Sequence, residues 1–533
     1  MAVNNSSNGV TVIAKETRKL KRELTLLPLF GLMYFTVSGG SYGIEPLIGW
    51  SGPGLAMLLI ILTPIIFSLP NVLMVRELTS MMPAEGGYYH WVKQAFGPFA
   101  GFMAGWNNWV MSLLDVPIYT VLAAYYLGYF LPPLRDGMTL GGIELSANFL
   151  CWLVSAALIW IISYLQIRGA RLSGLFTGYL TIVVLAPLVL MTVLGLFQWV
   201  QGGVTISLPF LPEGETMTGA LATGLFVVMW NYMGWELPSV AGDEVANPKK
   251  TYPRAMTLVL VAAIATYALP VMAGLYGGGA DDGRYQIWGI EASDEEVGII
   301  GDLVSEDATP EEIAATEVQL AEWGVDPTSA TGWEFPDIGH AIGEKMGSLP
   351  LARFLGSILT IGAVLSMIGL FTGNSLGGSR VPFALAEDGM MPRWLVKVHD
   401  RFGTPWVAII FVGIIYSIFS LSAFAFLVVA DVFLQCLVIL AEFAAMWKLR
   451  FTDPDRPRQK VPGGILGMVL VTLGPTIIIL VAFYSQYIEE GFQSIGWALG
   501  FMAVGAILYF PFRRYLKPGV PDVDPYKEPP EEE

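Results

Sequence analysis

Apolar runs of membrane length recur from one end of this chain to the other, and they narrow its fold before any motif is considered. In hydrocarbon every backbone N–H and C=O has to find a partner inside the protein, so a crossing segment is a helix or part of a closed barrel. Runs exceeding the roughly 20 residues that a helix needs at 1.5 Å per residue point to helices. Twelve spans are expected, centred near Phe35, Ile65, Leu114, Leu158, Leu185, Val228, Ala265, Leu365, Gly413, Leu437, Ile478 and Val504. Hydrophobic residues make up 54% of the chain and charged residues only 14%, which fits an all-α, multi-pass integral membrane protein. Met1 to Asn8 is polar and the stretch to Glu23 is charged, so no cleavable leader is expected and the first span serves for insertion.

Lys and Arg set the expected orientation. They gather in the N-terminal segment (Lys15, Arg18, Lys19, Lys21, Arg22), in the loops after even-numbered spans and in the tail. The loops after odd-numbered spans hold only Arg135, Arg284, Lys345 and Arg353. By the positive-inside rule both termini are cytoplasmic, and the chain sits in the cell membrane. The net charge is -16, yet between Asp281 and Lys345 there are 17 Asp or Glu and two basic residues, so one outward loop carries -15 of it. That loop reads as a solvated insertion with a short helix around Pro310 to Trp323. The competing reading is an anionic vestibule that concentrates cations at the outer mouth, an effect that salt would weaken. Pro518 to Glu533, rich in Pro and Glu, reads as disordered.

Two spans are broken at mid-length by glycines, and each break is followed by a carboxylate. The first reads Phe35-Thr-Val-Ser-Gly-Gly-Ser-Tyr-Gly-Ile-Glu45 and the second Trp230-Asn-Tyr-Met-Gly-Trp-Glu236. Paired interruptions of this kind point to a transporter whose substrate sits at the bilayer midplane between half-helices. A carboxylate in hydrocarbon is costly unless it faces a cavity or a partner, so Glu45, Asp115 and Glu236 are candidates for function. No Lys or Arg occupies the central part of any span, so their counter-charge is a proton, a metal ion or the substrate. Glu45 and Glu236 each have a structural alternative, capping the half-helix that follows, and Glu45 could also be hydrated near the outer surface. Asp115, mid-span beside Pro117, has none. Asp431 and Glu442 read as hydrated or structural. Aromatics cluster at the same depth: Tyr42, Trp106, Trp109, Tyr119, Trp230, Tyr232 and Trp235. Ring faces attract organic cations by roughly 0.5 to 2 kcal/mol each. Tyr232 and Trp235, inside the break, are the better candidates, whereas Trp106 and Trp109 read as packing.

Other chemistries find no footing. Cys151 and Cys436 lie within apolar spans, so no external disulfide framework is expected. His90, His340 and His399 are scattered in loops without metal-ligand spacing. No phosphate-binding glycine loop with Lys and Ser/Thr is present, and no nucleophile and base are grouped as an enzyme would need. The expectation is a non-enzyme without cofactor, nucleic-acid partner or ATPase subunit. Its energy comes from an ion or solute gradient.

Several stretches together resemble the amino acid, polyamine and organocation (APC) superfamily, and within it the polyamine-uptake and related amino-acid permeases of plants and microbes. They are Val37-Ser-Gly-Gly-Ser-Tyr-Gly-Ile-Glu45, Pro83-Ala-Glu-Gly-Gly-Tyr-Tyr-His-Trp91, Phe96-Gly97 through Trp106, and Gly234-Trp-Glu236. Further matches are Glu244-Val-Ala-Asn-Pro248 through Arg254, Ser379-Arg380, Ala386-Glu-Asp-Gly389 with Pro392, and Gly403-Thr-Pro405. The resemblance implies a leucine-transporter-type 5+5 inverted repeat with broken first and sixth helices. Residues 1–23 form a cytoplasmic tail, 24–200 the first repeat, and 201–450 the second, with the acidic loop 281–346 inside it. Residues 451–516 hold a cytoplasmic loop and two further helices, and 517–533 a tail.

In such proteins the freed amides of Ser38, Gly39 and Gly40 would hold a carboxylate, and carbonyls from Asn231 to Gly234 an ammonium. Tyr42, Tyr232 and Trp235 would complete the substrate site with Glu45, Asp115 and Glu236. Polyamine-carrying relatives have acidic residues matching these three, with Asp for Glu at the last. The implied function is alternating-access transport of polyamines or cationic amino acids by proton symport, with Asp115 and Glu45 as proton carriers. Arg171 to Gln198 lacks the lysine that some proton-driven members place there. Sodium, with Thr372 and Ser375 among its ligands, is the alternative ion. A neutral amino-acid permease or exchanger, and a nutrient receptor without transport, are the alternative functions.

Overall fold

The computed structural model describes residues 25–38, 40–82, 87–168, 173–202, 208–212, 214–235, 248–278, 283–292, 298–304, 308–387 and 391–513. Helix dominates. Helix α1 (Leu26–Val37) stops at an irregular segment, and the chain re-enters helix as α2 (Glu45–Ser51). After Gly52, helices α3 (Pro53–Thr63) and α4 (Leu69–Met81) run on through a π turn at Pro64–Ser68 as one span. Then come α5 (Gly87–Phe96), α6 (Pro98–Leu127), α7 (Pro133–Asp136), and a small hairpin of β1 (Met138–Leu140) with β2 (Ile143–Leu145). These are followed by α8 (Ala147–Arg168), α9 (Ser173–Gln201) and α10 (Met217–Asn231). The second half holds α11 (Pro248–Met272), α12 (Ile300–Leu303), α13 (Pro310–Glu322), α14 (Phe335–Lys345), α15 (Leu349–Glu387), α16 (Trp406–Phe419), α17 (Phe424–Thr452), α18 (Gly464–Glu490) and α19 (Gln493–Arg513).

Among the described residues, eight helices are long and apolar enough to cross a membrane, with shorter apolar helices at Met217–Asn231, Trp406–Phe419 and Ile495–Pro511. Every expected span centre falls on a helix. Helix α1 stops ahead of Gly40 and Gly43 and helix resumes at Glu45, whereas α10 ends at Asn231, ahead of Gly234, and residues 236–247 lie outside the described ones. Burial sorts the bundle: 83% of the apolar window of α6 and 72% of that of α17 is buried, against 28% of that of α18. Helices α6 and α17 therefore form the centre, packed on each other and α6 on α15, while α18 turns Leu470, Leu473 and Leu480 outward, as a lipid-facing helix must.

The acidic loop is folded. Helix α13 occupies the stretch expected to be helical, started by a capping box in which Thr309 and Glu312 satisfy each other's amides. Residues 287–292 pair with 330–333 through backbone bonds such as Gly289 N–H to the Trp333 carbonyl, 2.7 Å, and Ala292 N–H to that of Ala330, 2.8 Å. Arg135 of α7 grips Asp337 of α14 with two bonds of 3.1 and 2.6 Å and so fixes the loop to α7. Gly289 (φ 70°) lies on the start of α2, where a Cβ would run into the backbone of Glu45 and Pro46. Only glycine accepts both that φ and that approach. At the other end of α17, Arg450 binds Glu77 of α4 through two bonds of 2.9 and 2.8 Å.

Candidate functional site

The first break is held by its own side chains. Gly40 and Gly43 take φ of 108° and 89°. Helix resumes at Glu45, where amides without helical partners favour a carboxylate. Glu45 is fully buried, and it accepts from the Gly43 amide at 2.6 Å and from the Tyr126 hydroxyl of α6 at 2.8 Å. The Tyr126 oxygen accepts from the same Gly43 amide at 2.8 Å. Tyr42 sets its ring edge-on to Tyr126 and to Phe335.

The second break is tied to the first. Helix α10 ends at Asn231, whose side-chain amide donates to the Gly43 carbonyl at 3.2 Å and to that of Val227 at 2.9 Å. Tyr267 of α11 donates to the carbonyls of Asn231, 3.0 Å, and Ser38, 3.3 Å. Ser41 donates to the Thr266 carbonyl. The Tyr232 carbonyl accepts from Ser68 at 3.1 Å and the Trp235 indole at 2.8 Å, while the Tyr232 hydroxyl reaches the Ile60 carbonyl at 2.9 Å. Gly234 takes φ 88°.

Asp115 sits differently. It is half-buried on α6, below the break. Its oxygens accept from the Tyr119 hydroxyl at 2.9 and 3.0 Å, and Oδ1 from the Trp230 indole at 2.9 Å. Asn374 of α15 donates to the Tyr119 oxygen at 3.2 Å, and the Tyr119 and Trp230 rings stack with centroids 5.9 Å apart. No ion pair among the described residues includes Asp115. A partly accessible carboxyl group with neutral donors on one side and aromatic faces beside it suits a cation approaching from the open side.

Of the residues singled out from sequence, the structure brings Ser38, Gly40, Tyr42, Glu45 and Asn231 together at the joined breaks. Asp115 lies one residue contact away, through Trp230. Tyr232 and Trp235 are 0% and 2% exposed, with the Tyr232 hydroxyl and the Trp235 indole bonded to carbonyls beside the end of α10. Gly39 and Glu236 lie outside the described residues. Trp106 donates to the Phe501 carbonyl, 2.9 Å, and Trp109 stacks on Phe411, both packing contacts. Asp431 and Glu442 are 2% and 1% exposed, so neither meets bulk water and the structural reading remains: α17 runs through the middle of the bundle rather than along its edge. Thr372 donates to the Ile368 carbonyl at 2.7 Å, and Ser375 accepts from Gln166 at 2.6 Å.

Counting the aromatics only as ring faces misses the hydroxyls and the indole that hold the carboxylates. The signal was in the spacing. Positions 115, 119, 122 and 126 follow a helical face, which puts Tyr119 beside Asp115 and Tyr126 one tier up, at Glu45. Glu291 and Glu334, which close on Glu45 from the loop, carry no such signal because a loop has no period.

The sequence profile described as amino acid permease matches residues 24–286 and 326–510. The chain is 29% identical to the polyamine transporter RMV1 of Arabidopsis thaliana over 478 residues, covering 89% of this chain and 82% of the relative. It is 27% identical to the polyamine transporter PUT1 of Oryza sativa subsp. japonica over 519 residues, 95% of this chain and 83% of that one. It is also 26% identical to an uncharacterized transporter of Legionella pneumophila, over 76% of this chain and 77% of the relative. These matches extend over nearly all of the broken-helix bundle, and the chain belongs to the amino acid permease (APC) family of membrane transporters.

Proposed function

We propose that this protein moves polyamines or cationic amino acids across the cytoplasmic membrane by alternating access, coupled to protons, with both termini in the cytoplasm. The proposal includes twelve spans arranged as a 5+5 inverted repeat, in which α1 with α2 and α10 with its continuation are the two broken helices. The observation that carries it is Asp115: a carboxyl group in the most buried helix, held by Tyr119 and Trp230, and without a basic partner among the described residues. An amine supplies the missing positive charge, and the adjacent rings add cation–π attraction. The printed names of two relatives, both polyamine transporters, support the same class.

Ser38, Gly39, Gly40, Tyr42, Glu45, Asn231, Tyr232, Gly234, Trp235 and Glu236 complete the proposed site around the breaks. Protonation of Asp115, with Glu45 as second carrier, would link binding to a proton gradient. Sodium, with Thr372 and Ser375 among its ligands, is the alternative coupling ion. The family's own description favours a second reading, an amino-acid permease or exchanger.

Uptake into liposomes decides between them. Radiolabelled putrescine, spermidine, arginine and leucine are offered to the purified protein with and without an imposed inward proton gradient. Gradient-driven accumulation of the amines is expected. Leucine uptake without amine uptake establishes the second reading, and binding without any uptake makes the chain a receptor.

A further inference from the structure

A second acidic cavity lies at the loop end of the bundle, between α2, α6, α17 and the folded loop. Its wall carries Glu45, Glu291, Glu334 and Thr331, and no basic side chain lines it. It leaves about 10 Å³ for the centre of a water-sized group, room for about one such group. Thr331 is 2% exposed, and its hydroxyl has no hydrogen-bond partner, whereas buried hydroxyls ordinarily have one. Glu45 accepts from Tyr126 and Gly43 and shares a hydrogen bond with Glu334, a bond that needs a proton on one of the two carboxyl groups. Glu291 is aimed at the space by Tyr125, which donates to it, and by the Phe424 amide at 3.0 Å.

The wall offers acceptors around a space of ammonium size. A primary ammonium has three donors and no acceptor. Among the described residues no three His, Cys, Asp or Glu side chains are placed to hold a metal ion. That geometry favours an organic ammonium over a coordinated metal.

The cavity also lies in line with Asp115. Leu122 and Tyr125 of α6 line it, so at 1.5 Å per residue it stands about 10–15 Å along the helix from Asp115. Trp230 flanks the interval, bonded to Asp115 at one edge and meeting Phe424, a wall residue, edge-on at 6.0 Å. We propose that this cavity is a second ammonium site, which takes one end of a linear polyamine while Asp115 takes the other, and so favours long polyamines over short diamines. It rests on the amine-transport reading above. Glu291 belongs to residues 287–325, which lie between the two stretches matched by the family profile.

The test uses the full chain in liposomes, with initial uptake of radiolabelled putrescine and spermidine by wild type, Thr331→Val and Glu291→Gln. Thr331→Val removes a hydroxyl that bonds to nothing in the protein, so its melting temperature stays at or above that of wild type. The expected result is a KM for spermidine raised roughly tenfold in Glu291→Gln and about threefold in Thr331→Val, with that for putrescine changed less than about twofold. Equal shifts for both amines, or none for spermidine in either variant, overturn the second site and leave amine transport standing. Spermidine effects that appear only with external sodium assign the cavity to an inorganic cation and overturn the ammonium. A wild-type protein that carries neither amine removes the underlying reading, and the second site falls with it.

Discussion

Glu45 and Asp115 are both carboxyl groups deep in an apolar bundle, yet their surroundings differ in kind. Glu45 is fully enclosed, and one of its partners is the backbone of the break it terminates. Asp115 keeps part of its surface accessible and takes its partners from side chains alone. A group that bonds the backbone braces the frame, because removing it takes away the shorter of the two bonds made by the buried Gly43 amide. A group held only by side chains on one side can exchange partners. The first kind is expected to govern whether the break exists, the second what binds there.

Substitutions can break that distinction. The largest effect is expected from Asp115→Asn, which lowers amine uptake in liposomes by on the order of 100-fold or more while its thermal melting stays near that of wild type. A well-folded Asp115→Asn protein with unchanged uptake ends the assignment. Trp230→Phe keeps a ring against Tyr119 but removes the donor to Asp115, and raises the KM for amines by roughly tenfold. A change confined to the maximal rate would place Trp230 in the transport step instead.

The two tyrosines sharpen the comparison as a matched pair. Tyr126→Phe removes the donor to Glu45 Oε1 and one of the two acceptors of the Gly43 amide, which keeps its bond to Glu45, and costs about 1–3 kcal/mol in stability. Tyr119→Phe is expected to cost less, since Asp115 retains Trp230 and solvent, and to show in KM. Denaturation and uptake of both variants would reveal a reversed order. The smallest effect concerns Glu334, outside the spans. Burial, with the Glu45 and then the Asp337 carboxylates adding to it and Arg135 opposing, holds its carboxyl well above the usual range. With the folded value above the unfolded one, its contribution to stability is fully present below the ordinary carboxylate pKa and is lost as pH rises through the raised value. Melting temperature should therefore fall across that window in wild type and fall less in Glu334→Gln.

The sequence was most legible where a periodic rule applied. Each span centre read from the membrane-length apolar runs falls on a helix, and glycines followed by Glu45 marked the first break, since both signals arise from the backbone's need for partners. The division of labour between Glu45 and Asp115 was not legible. It depends on Tyr126, Trp230 and Asn231, which reach across from other helices or from beyond the break, and no local pattern encodes such contacts. The burial of Asp431 and Glu442 was missed for a similar reason: position along a helix says nothing about whether that helix is central. The acidic loop was legible as charge and in its helix at Pro310–Glu322, but not in how it closes, because backbone pairing between 287–292 and 330–333 spans a long insertion.

Gly289 has a use beyond this molecule. Because its Cβ-free backbone lies on Glu45 and Pro46, no other residue can occupy the position while the loop remains docked. Insertions between helices drift quickly in length and composition, which ordinarily makes them unreadable from one sequence to the next. The steric constraint at Gly289 does not depend on loop length, so a glycine at that place is expected in any chain whose outer insertion closes on the start of α2 in the same way.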